Sequence, residues 1–235
     1  MAGGGTLVVL PVMVFMGIPG NVANGTNRIA MFPQNITAVS AFLKKGVSNF
    51  RLSLSLGLAS LPGAIIGAYV GTQLEGQRFN VILAIVIVAV MILMLMPSKN
   101  NKTISSDQSS LSNISAKQNM LGHFLMLFVG FWGGFIMAGV GFLMIAVLNK
   151  VMSIDLVSAN AHKVFIEIIY SIFALAIFSS QLQLLWTAGL ILGFGCAIGA
   201  WFGANYQVKK GAESVKKVLI AVLTVFIIKL IFFPN

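Results

Sequence analysis

The stretch MAGGGTL, residues Met1 to Leu7, returns as MAGVGFL at residues Met137 to Leu143, with five of the seven letters identical. Two further pairs of motifs follow in the same order, namely NGTNR (24–28) with ANAHK (159–163) and GAIIGAYVG (63–71) with GCAIGAWFG (195–203). One such match of apolar letters can arise by chance. Three matches in one order indicate an internal duplication, so the chain consists of two related halves.

The composition places both halves in a membrane. Of the 235 residues, 58% are hydrophobic and only 9% are charged, and the mean hydropathy is +0.96. A soluble domain carries roughly 25% charged residues. Apolar runs of about 18 or more residues recur, and each is long enough to cross about 30 Å of hydrocarbon. We therefore predict an all-α polytopic membrane protein.

The net charge of +10 does not indicate a nucleic-acid partner here. Lys and Arg cluster in short loops, where they set the orientation of membrane helices. The single Cys196 excludes an intramolecular disulfide and a cysteine-rich metal site. The sequence contains no GxSxG, HExxH or phosphate-loop motif. We therefore expect no catalytic residue, no metal and no cofactor.

Apolar segments divide the chain into a first transmembrane repeat at residues 1–97, a polar linker at 98–118 and a second repeat at 119–235. The first repeat has four predicted segments, B to E, at about Gly5–Gly17, Asn24–Leu43, Leu52–Leu74 and Phe79–Met96. The second has five, A′ to E′, at about Met120–Met137, Gly141–Met152, Ser158–Phe178, Leu184–Tyr206 and Val215–Phe233. The comparison predicts that the first segment of repeat one is missing from this chain. Either the true start lies upstream of Met1 or the protein is naturally short.

Loop charges predict the relative orientation of the two repeats. Clustered basic residues lie between C and D in the first repeat but between D′ and E′ in the second: Lys44, Lys45 and Arg51 against Lys209, Lys210, Lys216 and Lys217. Because basic loops stay on the cytoplasmic side, we predict two inverted-topology repeats of about five segments each. The linker then lies in the cytoplasm and the C-terminus lies outside.

Inverted repeats with interrupted helices are typical of secondary transporters, whose sites lie where broken helices expose backbone groups. Glycines lead into both short segments, B and B′, and predict such breaks: Gly3, Gly4 and Gly5, then Gly139 and Gly141. A helix N-terminus after a glycine turn suits an anion, although small residues also let helices pack closely. In GAIIGAYVG and GCAIGAWFG, glycines at four-residue spacing favour packing instead.

Segments C and C′ hold the residues that are most costly in a membrane. Arg28 and Lys163 align through the repeat, and a charge near the bilayer centre costs about 3 kcal/mol. One reading is a site for an anion between the two cations; the other is that both side chains snorkel to the interface. Hydrogen bonds to the anion are predicted from Asn24, Thr26, Asn27 and Asn160.

Two further titratable residues lie in segment C′. Glu167 follows Lys163 by one helical turn, so an internal ion pair and a proton-coupling carboxylate are both open. His162 titrates near physiological pH when it is unperturbed, and it is the second proton-coupling candidate. A packing or hydrogen-bonding role is its alternative.

The stretch GGGTLVVLPVMVFMGIPGNVANGTNRIA resembles the TauE/SafE family of membrane permeases, also called sulfite exporter-like proteins. The matching features are the glycines at 3–5, Pro11 and the A-x-G-T stretch at 23–26, and in the second half the stretches at 159–161, 163–166 and 199–204. The resemblance covers nearly the whole chain. It departs from the family pattern in the absent first helix and in His162 and Glu167, which stand where the family has uncharged residues.

The resemblance implies transport of small anions, such as sulfite, other organosulfur compounds or carboxylates, coupled to a proton gradient. We therefore predict a permease of the bacterial cytoplasmic (inner) membrane that works by alternating access. Its expected partners are a small anion, protons and the lipid bilayer, with a homo-oligomer left open. The alternatives are a non-transporting membrane scaffold or accessory subunit and a passive anion channel. The polar residues of C and C′ argue against a scaffold, which has little need of them.

Overall fold

The computed structural model describes residues 4–44, 50–95 and 115–199. Within these ranges the chain forms eight α-helices and no strand. They are α1 (Gly4–Phe15), α2 (Gly20–Lys44), α3 (Phe50–Thr72), α4 (Gly76–Leu95), α5 (Ala116–Phe135), α6 (Val140–Ala146, continued by a π-helical turn at Val147–Val151), α7 (Leu156–Gln181) and α8 (Trp186–Gly199). The all-helical class predicted from the apolar runs is confirmed for this part of the chain.

The predicted segments B to E and A′ to D′ correspond in order to α1 to α8. The largest shifts concern segments C and A′, because α2 begins at Gly20 and α5 at Ala116, each four residues before the predicted start. Helix α5 begins at Ala116 after a capping box at Ser115, so the last three residues of the predicted linker 98–118 are helical. Segment E′ and Gly3 lie outside the described residues.

Helix length separates the short elements from the membrane-crossing ones. Helix α1 has 12 residues and is about 18 Å long at 1.5 Å per residue, less than the ~30 Å of a hydrocarbon core. The stretch Val140–Val151 in the second half is equally short and apolar. Among the described helices, Arg51–Thr72 and Ser158–Gln181 are both long and apolar enough to cross a membrane. Segments B and B′ are therefore too short to cross as helices alone.

Glycines bring α3 and α5 into backbone contact. A Cβ atom added at Gly63, Gly67, Gly130 or Gly134 would stand 1.9 to 2.1 Å from a carbonyl oxygen of the facing helix. The packing predicted for GAIIGAYVG is thus confirmed. In GCAIGAWFG, by contrast, no described atom lies within 4 Å of a Cβ added at Gly195 or Gly199. The packing predicted for this second stretch is therefore not found among the residues that the structure describes.

Contacts between helices fix their relative directions. Helices α3 and α5 are parallel, since Gly63 faces Leu127 and Gly71 faces Phe135. Helices α2 and α8 are also parallel: the positions facing Gly189 on α8 are Thr26 and Ile29, and those facing Gly193 are Ala30 and Pro33.

Helices α2 and α7 are antiparallel. Arg28 lies over Phe178, whereas Asn35, further along α2, bonds Glu167, earlier on α7. Helix α7 runs parallel to α3, because Gly57 faces Ile169 and Gly71 faces Phe178. The predicted counterparts C and C′ thus run in opposite directions.

Candidate anion site between α2 and α7

The facing sides of α2 and α7 carry a buried polar cluster. On the 25-residue α2, Arg28 and Asn35 lie on either side of the helix midpoint; on the 26-residue α7, Glu167 and Tyr170 do the same. All four side chains are buried, with exposed fractions of 2% or less. Burial of polar groups at this depth requires partners, because each unpaired group costs free energy.

Arg28 is fully buried and only partly satisfied. Its Nη2 donates to the carbonyl oxygen of Gly134 at the end of α5. Its guanidinium carbon lies 4.7 Å from the centre of the Phe178 ring, a cation–π distance. Its Nε and Nη1 have no hydrogen-bond partner among the described residues, and neither contact that it makes carries a full negative charge.

Tyr170 and Ser171 extend the unsatisfied region along α7. The two hydroxyls lie close enough to interact with each other, and neither has a hydrogen-bond partner elsewhere in the described ranges. The hydroxyl oxygen of Tyr170 stands 2.8 Å from where a Cβ of Gly133 would be, one residue before Gly134, whose carbonyl accepts from Arg28. The missing side chain at Gly133 therefore makes room for the Tyr170 hydroxyl beside the end of α5.

Buried polar atoms without partners are rare in native proteins, and each one calls for an explanation. In the described residues there are four such side-chain atoms, and all belong to Arg28, Tyr170 and Ser171. The sequence reading missed both hydroxyls. Tyr170 and Ser171 follow Glu167 by three and four residues and so share its helix face, but this spacing alone does not mark a hydroxyl as part of a site.

Lys163 and Glu167 form the ion pair that their spacing predicted, with Nζ and Oε1 3.3 Å apart. Asn35 donates from Nδ2 to the other carboxylate oxygen at 3.3 Å. The exposed fraction of Lys163 is 3%, and that of Arg28 is 0%. Neither cation reaches the protein surface as a snorkelling side chain does, which favours the interpretation that both belong to an internal site.

Asn24 spans the break between α5 and α6. Its Nδ2 donates to the Phe135 carbonyl at 2.8 Å, and its Oδ1 accepts from the Met137 amide at 3.3 Å. Gly139 has φ +74° and forms the turn that opens α6, in the left-handed region that glycine adopts readily. The side-chain amide of Asn24, in the first half of the chain, thus satisfies two backbone groups at the break between α5 and α6, in the second half.

The other predicted site residues are distributed around this cluster. Asn27 is buried and directs Nδ2 toward the Met137 sulfur at 4.0 Å. Thr26 accepts from the Leu185 amide at 3.2 Å, which ties α2 to the segment leading into α8.

Further predicted residues lie within helices. Gly4 and Gly5 are the first residues of α1 rather than a turn before it, and Gly141 is buried inside α6. Asn160 bonds the Leu156 carbonyl of its own helix at 2.9 Å. Its amide is thus engaged locally and does not join the cluster.

His162 also has a specific partner. Its Nδ1 lies 2.7 Å from the Ser53 hydroxyl on α3, and the ring is buried. The bond joins α7 to α3 on the side of α7 away from α2. The hydrogen-bonding alternative for His162 is therefore present in the structure.

Comparisons with known proteins identify the family. The model of the family described as sulfite exporter TauE/SafE matches residues 1–230. The chain belongs to this family.

Several relatives carry transporter names. A probable membrane transporter protein, ORF9, of Sinorhizobium sp. is 26% identical over 235 residues, which is all of this chain and 87% of the relative. A probable membrane transporter protein of Haemophilus influenzae is 24% identical, covering 99% of this chain and 88% of its own length. The probable membrane transporter protein YfcA of Escherichia coli is 23% identical, with 99% and 84% covered. No solved structure matches. The chain is an integral membrane protein of a transporter family.

Proposed function

We propose that the protein is a secondary transporter for small anions, with its substrate site in the cluster between α2 and α7. One observation carries the proposal: Arg28 is fully buried, has free N–H donors and makes no ion pair among the described residues. Guanidinium donors cannot accept hydrogen bonds, so the missing partner is an acceptor. A charge is retained inside a membrane protein mostly where it handles a substrate or an ion.

Alternating access between two inverted repeats is the mechanism that we propose. The directions of the helices support it. Helices α2 and α7, the counterparts C and C′, are in contact and antiparallel. Helix α3 (D) is parallel to α7 (C′), and in the same way α8 (D′) is parallel to α2 (C). A two-fold axis in the membrane plane produces this arrangement. Rocking of the halves would open the α2–α7 contact to one side and then to the other.

Glu167 is the proposed proton-coupling carboxylate. It lies at the centre of α7, one turn from Lys163 and within hydrogen-bond reach of Asn35. Protonation would release Lys163 from the ion pair and raise the net positive charge of the cluster. His162, which bonds Ser53, is the less favoured candidate because it lies away from Arg28.

The family description as sulfite exporters and the cationic cluster both favour sulfite-like, organosulfur or carboxylate anions as substrates. The proposed location is the bacterial cytoplasmic membrane with the C-terminus outside, which the positions of the basic loops support. The glycine turn at Gly139 remains a proposed lining of the site.

Uptake into proteoliposomes tests the proposal. Radiolabelled sulfite, thiosulfate, sulfoacetate and a plain carboxylate are supplied with and without an imposed proton gradient. We expect gradient-dependent uptake of at least one anion, lost in Arg28→Gln and kept in Arg51→Gln, the matched change at an exposed arginine. Uptake that ignores the gradient would indicate a passive channel. No uptake by folded protein would favour the scaffold.

A further inference from the structure

We propose that this site selects anions with a single negative charge, held by Arg28 together with the hydroxyls of Tyr170 and Ser171. The inference rests on the proposed function and narrows its substrate class. It assigns binding roles to two hydroxyls that the sequence reading did not include.

The first argument is the charge of the cluster. Three charged side chains are buried in the described part of the chain: Arg28, Lys163 and Glu167. Lys163 and Glu167 neutralise each other at 3.3 Å, while Arg28 contacts only a carbonyl oxygen and an aromatic face. The cluster therefore carries one uncompensated positive charge, and a monoanion neutralises it. A dianion would leave a buried negative charge and would also lose more hydration on entry.

The second argument is the set of free donors. The guanidinium of Arg28 has donors at Nε and Nη1 without partners, and the hydroxyls of Tyr170 and Ser171 have no partner in the described ranges beyond each other. A ligand that satisfies them all needs several acceptor oxygens on one small group. Sulfonate and carboxylate groups have this property, and hydrogen bonds from a cation to such groups are among the stronger ones.

The third argument is the confinement of the donors. Phe178 covers one face of the Arg28 guanidinium, and Tyr170 reaches the same place beside Gly133, where a side chain would exclude it. The donors of Arg28 and Tyr170 thus converge from α2 and α7 on the end of α5. A ligand bound there contacts both halves of the chain at once.

Equilibrium binding to the purified full chain in lipid nanodiscs tests the inference. The probes are radiolabelled methanesulfonate and radiolabelled sulfate, which are both tetrahedral and of similar size but differ by one unit of charge. We expect wild-type protein to bind methanesulfonate at least about tenfold more tightly than sulfate. Equal or tighter binding of sulfate would overturn the inference.

Charge-changing variants make the test independent of probe shape. Glu167→Gln raises the buried charge from one to two, so the preference for methanesulfonate should shrink or reverse. The double change Lys163→Gln and Glu167→Gln restores a single charge, and the wild-type preference should return. An unchanged ratio in Glu167→Gln would contradict the charge argument.

The hydroxyl role has its own readout. Tyr170→Phe removes one oxygen and should weaken methanesulfonate binding roughly threefold or more, whereas Tyr69→Phe at an exposed tyrosine should not. Equal binding by both variants would remove Tyr170 from the site. If anions are transported without any charge preference, the inference fails while the transporter stands; if no anion is bound or transported, both fail.

Discussion

Replacing Gly67 by Ala should separate α3 from α5. The added Cβ would stand 2.0 Å from the carbonyl oxygen of Phe131, whereas ordinary van der Waals contact begins at 3.4 Å. The obstacle is backbone, so it cannot rotate away, and the two helices must move apart by about 1.4 Å, the difference between these distances. Three other glycines of this seam have equally close contacts and would lose them together.

The cost of this change can be bounded. Overpacking of a well-packed contact costs about 1–3 kcal/mol, and the loss of the remaining seam contacts places Gly67→Ala toward the upper end. For a chain of this length, each kcal/mol corresponds to about 2–4 °C in Tm. We therefore expect Tm to fall by roughly 4–12 °C.

Thermal unfolding of the purified protein in detergent is the assay, with Gly199→Ala as the matched control. Both glycines belong to corresponding motifs, and both lie in helices, Gly67 inside α3 and Gly199 as the last described residue of α8. The gain in helix propensity on replacing glycine by alanine, about 1 kcal/mol in a helix interior, stabilises Gly67→Ala at least as much as Gly199→Ala. No described atom lies within 4 Å of a Cβ at Gly199, so its Tm should hold or rise. An unchanged Tm in Gly67→Ala, or an equal fall of Tm in both variants, would refute the reasoning.

Three further predictions concern the site. Asn24→Ala removes bonds to two backbone groups at the end of α5 and should cost about 1–3 kcal/mol of stability, measured as Tm, while Asn160→Ala, whose amide bonds only its own helix, should cost far less. Lys163→Gln leaves Glu167 buried without its cation and should destabilise by about 3–5 kcal/mol; adding Glu167→Gln should recover much of this in thermal unfolding, and a double change that is worse than the single would count against the ion pair. Gly139→Ala forces a side chain into the left-handed region at φ +74°, so it should cost about 1 kcal/mol or more and slow uptake, and unchanged Tm and uptake would contradict the role of this turn.

Much of the fold was predictable because long apolar runs in a sequence indicate membrane helices directly. A continuous apolar run has few alternatives in a bilayer, so every described helix appears in the predicted order. The start of α2 was missed because Gly20 and Asn21 resemble loop residues. Asn21 is in fact buried and donates to the Thr72 carbonyl at 3.2 Å, a tertiary contact that no local pattern contains.

The two glycine motifs show that the spacing of glycines does not by itself predict a close contact between helices. GAIIGAYVG and GCAIGAWFG have the same glycine spacing, yet Gly67 meets a backbone within the described residues and Gly199 does not. Glycines at four-residue spacing predict that one face of a helix lacks side chains and can be approached closely. Which helix lies against that face depends on the arrangement of the whole bundle.

The site was predictable in its charges but not in its hydroxyls. Arg28, Lys163 and Glu167 stood out because a charge within an apolar segment is costly. A tyrosine or a serine in such a segment is common and carries no comparable signal. Tyr170 becomes notable only when its hydroxyl is found buried beside Gly133 without a partner.

When the two halves of the sequence are aligned, one of the two buried cations has an acidic neighbour and the other does not. Arg28 and Lys163 occupy equivalent positions of the repeat, but one turn further on the first half has Phe32 where the second half has Glu167. An ion pair within a helix is therefore available to Lys163 alone, and Arg28 has turned to a carbonyl of the other half instead. Two uncompensated cations would favour a dianion. Because Glu167 pairs with Lys163 alone, Arg28 is the one cation of the proposed site that is left uncompensated, which suits an anion with a single negative charge.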